Sequence, residues 1–321
     1  MKKILITGCY GFIGFHLTKS LLDKNKNIIG IDNINNYYSV KVKFARKKIL
    51  EKYKKFKFIK ADIGNFNVLN KIFKKNKFDL IINLAAQAGV SYSLLYPEKY
   101  FNSNIHGFFN ICKLASINKV KKVIYASSSS VYGDNKNLPV KESYKTNPLN
   151  YYALSKVNNE QTANFFSQIS ITKYIGLRFF SIYGPFGRPD MLIYKILNCS
   201  SKNKVFYLNN FGNHTRDFTY INDVCDILYK LLNKKIIKSH QIFNICSNNP
   251  IKITSILNYI DSNFNIKPKI KKRKFQLADV KKTHGSNIKI KKYLNKKKFS
   301  DIRLSLNNTC TWYKKNWKIY K

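Results

Sequence analysis

The chain has 321 residues, 44% of them hydrophobic, which is enough to bury a sizeable core in one large or two fused domains. Its formal net charge is +43, from 59 Lys and Arg against 16 Asp and Glu. Only six of those cations are Arg (Arg46, Arg178, Arg188, Arg216, Arg273, Arg303), and the 53 Lys are spread along the chain, so compositional drift explains the charge better than a nucleic-acid surface does.

From the start, Lys2-Lys-Ile-Leu-Ile-Thr7 is too short an apolar run for a secretory leader and leads straight into a glycine turn. No later stretch approaches the length of a membrane helix. Short apolar strands are predicted at 4–7, 28–31, 56–61, 80–84 and 123–127. Segments with helical periodicity lie between them, at 12–22, 68–73 and 101–115. Continuous apolar strands alternating with helices imply a parallel sheet covered on both faces, an α/β, Rossmann-type doubly wound fold. Residues 171–179 offer a sixth strand. After Gly184 the pattern loosens, with helix-like stretches at 191–197, 224–232 and 253–264 among short strands. The expectation is a Rossmann domain over 1–184 and a smaller mixed α/β lobe over 185–321, with some crossing of the chain between them. The densest basic run, Lys269-Ile-Lys-Lys-Arg-Lys274, reads as a solvated surface segment.

Six cysteines (Cys9, Cys112, Cys199, Cys225, Cys246, Cys310) are scattered without close pairs, which argues against a disulfide framework or a zinc site. A reduced, cytoplasmic protein is the expectation, with no metal. An arginine kept in so lysine-rich a chain marks a place where a planar bidentate fork is needed.

Thr7-Gly8-Cys9-Tyr10-Gly11-Phe12-Ile13-Gly14 follows the first strand and opens an amphipathic helix. Gly8 permits the tight turn, Gly11 lets a pyrophosphate approach the backbone, and Gly14 allows close helix–sheet packing, with the helix N-terminus facing the phosphates. Asp32 ends the second strand, where its carboxylate can accept from a ribose 2′-OH. The following Asn33-Ile-Asn-Asn36 holds no Arg for a 2′-phosphate, so NAD is favoured over NADP. Asp62 follows the third strand as a candidate for the adenine amino group, or as an ordinary cap of the helix that follows.

Tyr125-Ala-Ser-Ser-Ser-Ser-Val-Tyr-Gly133 places hydroxyls where the fifth strand ends, at the sheet edge where such folds bind ligands. Tyr152 and Lys156 follow, one helical turn apart. An ammonium one turn away favours the phenolate, whose ordinary pKa is about 10. Five Tyr-x-x-x-Lys pairs occur, starting at Tyr37, Tyr53, Tyr132, Tyr152 and Tyr293. Only Tyr152 also has the hydroxyl cluster and the glycine loop ahead of it.

Together these motifs resemble the extended short-chain dehydrogenase/reductase superfamily. Asn83-Leu-Ala-Ala-Gln-Ala-Gly-Val90, Tyr92-Ser93, Pro97, Tyr100 and Ser103-Asn-Ile-His-Gly107 are similar to the NAD-dependent nucleotide-sugar epimerases. Leu177-Arg-Phe-Phe-Ser-Ile-Tyr-Gly-Pro-Phe-Gly-Arg-Pro-Asp-Met191 and Arg216-Asp-Phe-Thr-Tyr220 are closest to the UDP-glucuronate 4-epimerase group, and the similarity covers nearly the whole chain, including Trp312-Tyr313. The resemblance implies Tyr152 as acid/base, Lys156 as its electrostatic partner and ligand of the nicotinamide ribose, and Ser128 on the reacting hydroxyl. It puts Phe12, Ile13, Asn33, Asp62, Ile63, Leu84, Ala85, Ala86, Asn104 and Phe180 at the cofactor. Ser129, Ser130, Ser181 and Arg188 fall near the sugar or its diphosphate, and Arg216 on the UDP phosphate. It also implies a homodimer.

Four departures stand out: Asn83 for the family's usual His, Ser91 for the Arg of the glucuronate group, Ser181 for its Thr, and Gln276-Leu-Ala-Asp279 for Gln-Pro-Gly-Asp. The missing Arg at 91 bears most directly on an anionic sugar. The implied reaction passes a hydride from C4 of a UDP-sugar to bound NAD while Tyr152 takes the 4-OH proton, then reverses on the other face of a 4-keto sugar. With UDP-glucuronate that ketone is a β-keto acid, so the site must hold the carboxylate out of alignment for CO2 loss. Dehydratases and UDP-glucuronate decarboxylases of this superfamily carry an acid beside the hydroxyl, where this chain has Ser129-Ser130 followed by Val131 and no carboxylate, which favours epimerisation. The alternatives are a neutral UDP-hexose or N-acetylhexosamine as substrate, a UDP-sugar decarboxylase or dehydratase, and a non-catalytic NAD-binding protein.

Overall fold

The computed structural model describes residues 2–274 and 280–321, so the 276–279 departure lies outside the described residues. In chain order the first part runs β1 (Lys3–Thr7), α1 (Phe12–Asp23), β2 (Asn27–Asp32), α2 (Val40–Leu50), β3 (Phe56–Lys60), α3 (Phe66–Lys75) and β4 (Leu80–Asn83). Two short turns, α4 (Tyr92–Leu95) and α5 (Pro97–Tyr100), and a π-turn over Phe101–His106 lead into α6 (Gly107–Ile117). Then come β5 (Lys122–Ser128), α7 (Tyr151–Ile169), β6 (Lys173–Phe179), β7 (Ser181–Tyr183), α8 (Leu192–Ser201), β8 (Val205–Leu208) and β9 (Thr215–Tyr220). The remainder is α9 (Ile221–Asn233), β10 (His240–Ile245), β11 (Pro250–Lys252), α10 (Ile253–Phe264), β12 (Lys269–Lys272), α11 (Ile288–Leu294) and α12 (Ile302–Asn316).

The main sheet has seven strands in the order β10-β6-β5-β4-β1-β2-β3, with every pairing parallel. Alternation along its strands splits the core into two layers. Ile4 and Ile6 of β1, Ile82 of β4, Ile124 of β5 and Leu177 of β6 pack on one face. Leu5, Ile81, Val123, Tyr125 and Tyr174 of the same strands pack on the other. A parallel sheet buried on both sides is what the uninterrupted apolar runs require. The strand order reverses between β1 and β4, with β2 and β3 added on one side of β1 and β4 to β6 on the other, which opens a crevice at the carboxyl ends of β1 and β4.

The six expected strands form within a residue or two of the expected ends, and α10 spans the expected range. Three features differ. Residues 101–115 are not one helix, because the π-turn over Phe101–His106 interrupts them. Helix α2 was not foreseen. Strand β10 leaves the second half of the chain to extend the main sheet beside β6, whereas β7 pairs with β9 in a separate sheet of order β11-β9-β7. The second half of the chain therefore contributes an edge strand to the main sheet.

Candidate active site

The glycine loop closes tightly against its neighbours. Gly8 has φ +69°, its N–H donates to Ile31 O at 2.7 Å, and a Cβ there would lie 2.7 Å from Ala85 N. A Cβ on Gly14 would lie 2.0 Å from Gly8 O, so the first turn of α1 is pressed onto the loop. Helix α1 has no side-chain cap and no acidic residue in its first turn, which leaves its N-terminal amides free for an anion. Asp32 Oδ2 accepts from Tyr10 N–H (3.0 Å) and Oδ1 from Ile34 N–H (2.8 Å), with Lys43 Nζ 3.9 Å from Oδ1. A carboxylate has about four lone-pair sites, so acceptor capacity remains beside a donor, which suits a ribose diol. Asp62 accepts from Asn33 Nδ2 (2.7 Å) and Gly64 N–H (2.8 Å); the cap of α3 is Asn65, not Asp62.

This loop forms one end of a cleft of about 530 Å³ that also holds Ser128, Ser129, Ser130, Tyr152 and Lys156. Strand β5 ends at Ser128, whose Oγ accepts from Ser130 N–H (3.1 Å) and so starts the turn at 129–132. Asn150 caps α7 by accepting from Ala153 N–H (2.9 Å), which places Tyr152 in the first turn. The helix and strand are locked behind the site by a buried ion pair: Arg178 donates to both Glu160 oxygens (2.8 and 2.7 Å), and Ser127 Oγ donates to Glu160 Oε1 at 2.6 Å.

Lys156 Nζ donates to Ala126 O (3.1 Å) and stands 5.8 Å from the Tyr152 ring centroid. Burial lowers its pKa to about 8. Burial also raises the Tyr152 phenol above its ordinary value, against the pull of the Ser128 hydroxyl and the Arg188 charge. Lys156 one turn away does not by itself offset the desolvation of the phenol. Desolvation wins in the protein by itself, and further positive charge is needed to reverse it.

On the facing wall Arg188 donates through Nε to Asp190 Oδ1 (3.0 Å) and through a second N–H to Oδ2, while Tyr37 O–H donates to Oδ2 at 3.2 Å. Arg216 Nη1 donates to Thr215 O (3.0 Å) and Lys281 O (3.2 Å) at the cleft margin. Phe12, Ile13, Asn33, Asp62, Ile63, Leu84, Ala85, Ala86, Phe180 and Ser181 all line the same space. Asn104 does not. It is buried behind the wall, exchanging hydrogen bonds with the Gln87 backbone (2.7 and 3.0 Å) and donating to Ser155 Oγ (3.0 Å). The π-turn is what aims it at α7 rather than into the cleft.

Residues 4–246 match the model of the NAD dependent epimerase/dehydratase family. The chain belongs to this family. An uncharacterised protein of Methanocaldococcus jannaschii is 40% identical to it, over 98% of this chain and 97% of that protein. The UDP-glucuronate 4-epimerase of Thermodesulfobacterium geofontis is 35% identical over 100% of this chain and 99% of its own length. Among solved structures, the UDP-glucuronic acid 4-epimerase from Bacillus cereus, in complex with UDP-glucuronic acid and NAD, superposes with a TM-score of 0.92 at 27% identity, covering 98% and 99% of the two chains.

Two side chains in this cleft had no sequence signal of their own. Lys43 is buried in the cleft wall and donates to Asn35 Oδ1 at 2.9 Å, yet it sits in the lysine-rich run Val40-Lys-Val-Lys-Phe-Ala-Arg-Lys-Lys48. Asp190 stood within the motif at 177–191, but its pairing with Arg188 and Tyr37 joins two segments distant in sequence. Among the described residues no cluster of His, Cys, Asp and Glu could hold a metal ion, and no helix is long and apolar enough to cross a membrane.

Proposed function

We propose that the protein is an NAD-dependent 4-epimerase of a UDP-sugar, interconverting UDP-glucuronate and UDP-galacturonate through a transient 4-keto sugar. The observation that carries this reading is the convergence of Tyr152, Lys156 and Ser128 on the cleft that the glycine loop opens, with Ser129-Ser130 and no acid beside the Ser128 hydroxyl. The similarity to 4-epimerases of UDP-glucuronate supports it.

In this reading Gly8, Gly11, Gly14 and the α1 amides hold the pyrophosphate, Asp32 and Lys43 the adenosine ribose, and Asp62 the adenine. Bound NAD supplies a reversible hydride acceptor for C4. Tyr152 removes the 4-OH proton and returns it, Ser128 orients that hydroxyl, and Lys156 carries a charge below about pH 8. Arg188 and Arg216 neutralise the diphosphate or the sugar acid, and Ser129, Ser130 and Ser181 fix the ring. Residues 1–184 with β10 serve mainly the cofactor, and 185–321 mainly the substrate. A neutral UDP-hexose is the second reading, favoured by Ser91, which lines the cleft where the glucuronate group has Arg.

A cytoplasmic location is inferred, supported by six free cysteines. A homodimer is inferred from α6 and α7, which pack together and leave Phe109, Leu154, Phe165 and Ile169 exposed. Incubation with a panel of UDP-sugars, followed by proton NMR, tests the function. UDP-glucuronate should invert at C4 fastest, and no inversion of any sugar rejects the reading.

A further inference from the structure

The segment 184–187 leaves β7 and delivers Arg188 to the cleft. Buried backbone carbonyls need partners, and in this turn each of four successive carbonyls is taken by a side chain from a different part of the chain. Tyr194 of α8 donates to Gly184 O (3.0 Å), and His16 of α1 bonds Pro185 O through Nε2 (2.7 Å). Arg46 of α2 donates to Phe186 O (2.6 Å), and Tyr320 of the turn Trp317–Tyr320 donates to Gly187 O (2.7 Å). Arg46, Tyr194 and Tyr320 are all buried. Burial lowers the His16 pKa to about 4, so its ring is neutral and Nε2 carries the proton that faces the carbonyl.

The grip is matched by packing. Phe186 is a non-glycine residue at φ +54°, with its ring 4.3 Å from Trp312 and 4.9 Å from Phe15. Such a conformation persists only where the surroundings over-determine it. Arg46 also donates to Tyr10 O (2.7 Å), so the same guanidinium ties this turn to the glycine loop. The two terminal nitrogens divide the task, Nη1 serving Tyr10 O and Nη2 serving Phe186 O.

We propose that Tyr194, His16, Arg46 and Tyr320 are positioning residues for the reaction: by holding the carbonyls of 184–187 they fix where Arg188 departs and aim its guanidinium at the anionic part of the substrate. This rests on the reading of Arg188 as a substrate contact. Recognition by a planar fork is sensitive to small displacements, so an arginine on an unheld loop would bind its anion poorly.

The test is Tyr320→Phe, which removes one hydroxyl and keeps the ring, assayed with UDP-glucuronate alone and in the Arg188→Ala background. The expected result is a KM raised about three- to tenfold, kcat within about twofold, NAD affinity unchanged, and no further rise in the double variant, since residues acting through one contact are not additive. A purely structural tyrosine would lower Tm without moving KM. An unchanged KM while Arg188→Ala raises it, or an equal rise in both backgrounds, overturns the proposal. If Arg188→Ala itself leaves KM unchanged, the reading of Arg188 fails and the positioning role falls with it. Tyr194→Phe repeats the measurement at the other end of the turn should Tyr320→Phe not fold.

Discussion

The two walls of the cleft are built by opposite means. The wall at the glycine loop is made of backbone: the end of β1, Gly8, Gly11, Gly14 and the amides of α1, all within one short stretch that a hydrophobic sheet holds in place. The substrate wall is made of loops whose shape depends on side chains reaching in from α1, α2, α8 and the C-terminal turn. Backbone walls follow from local sequence. Side-chain walls need the finished fold, and this is where relatives of one fold can diverge in substrate.

That contrast can be broken at several places. The largest effect belongs to the hydroxyl proposed as acid/base: Tyr152→Phe should cut turnover by about 10²- to 10⁴-fold, the usual worth of a general acid/base. NAD affinity, read by fluorescence titration, should stay near wild type, and retained turnover would remove Tyr152 from its role. Gly14→Ala comes next. Alanine usually stabilises a helix relative to glycine by roughly 0.5–1 kcal/mol. Here the added Cβ would meet Gly8 O at 2.0 Å, so the sign should reverse to a loss of about 1–3 kcal/mol, with weaker NAD binding. Denaturant unfolding checks it, and a stabilised variant would show that the loop is looser than described.

Lys43→Met should raise the NAD dissociation constant by about tenfold, or about 1.4 kcal/mol, because it removes the donor beside Asp32. An unchanged constant would place the adenosine ribose elsewhere.

A smaller effect comes from Lys156. Its folded pKa of about 8 lies below its unfolded value, so from about pH 8 to 10.5 the unfolded chain binds more protons and stability rises with pH. Between pH 7.5 and 9 the gain should be about 1 kcal/mol. It should be absent in Lys156→Met; equal pH slopes for the two proteins would contradict the burial argument.

The same contrast explains what the sequence made legible. The parallel sheet, the glycine loop and the Ser/Tyr/Lys group could be read because each rests on local pattern. Helix α2 could not: its buried residues are Val42, Lys43, Arg46 and Leu50, so half of its inward face is cationic and no apolar period appears. Lys43 was hidden for a compositional reason as well, since one meaningful lysine cannot be picked out among 53. Asn104 was placed at the cofactor because its motif was recognised but its π-turn was not. The scarcity of arginine was a better guide than it first seemed, because Arg46, outside every recognised motif, is fully buried and joins both walls.

The most direct test of the account follows the hydrogen on C4 of UDP-glucuronate during turnover by the NAD-loaded protein in D2O. Proton NMR should show UDP-galacturonate forming with protium retained at C4. Product carrying deuterium there, or no C4 inversion at all, would contradict an epimerase that lifts and returns that hydrogen within a closed cleft.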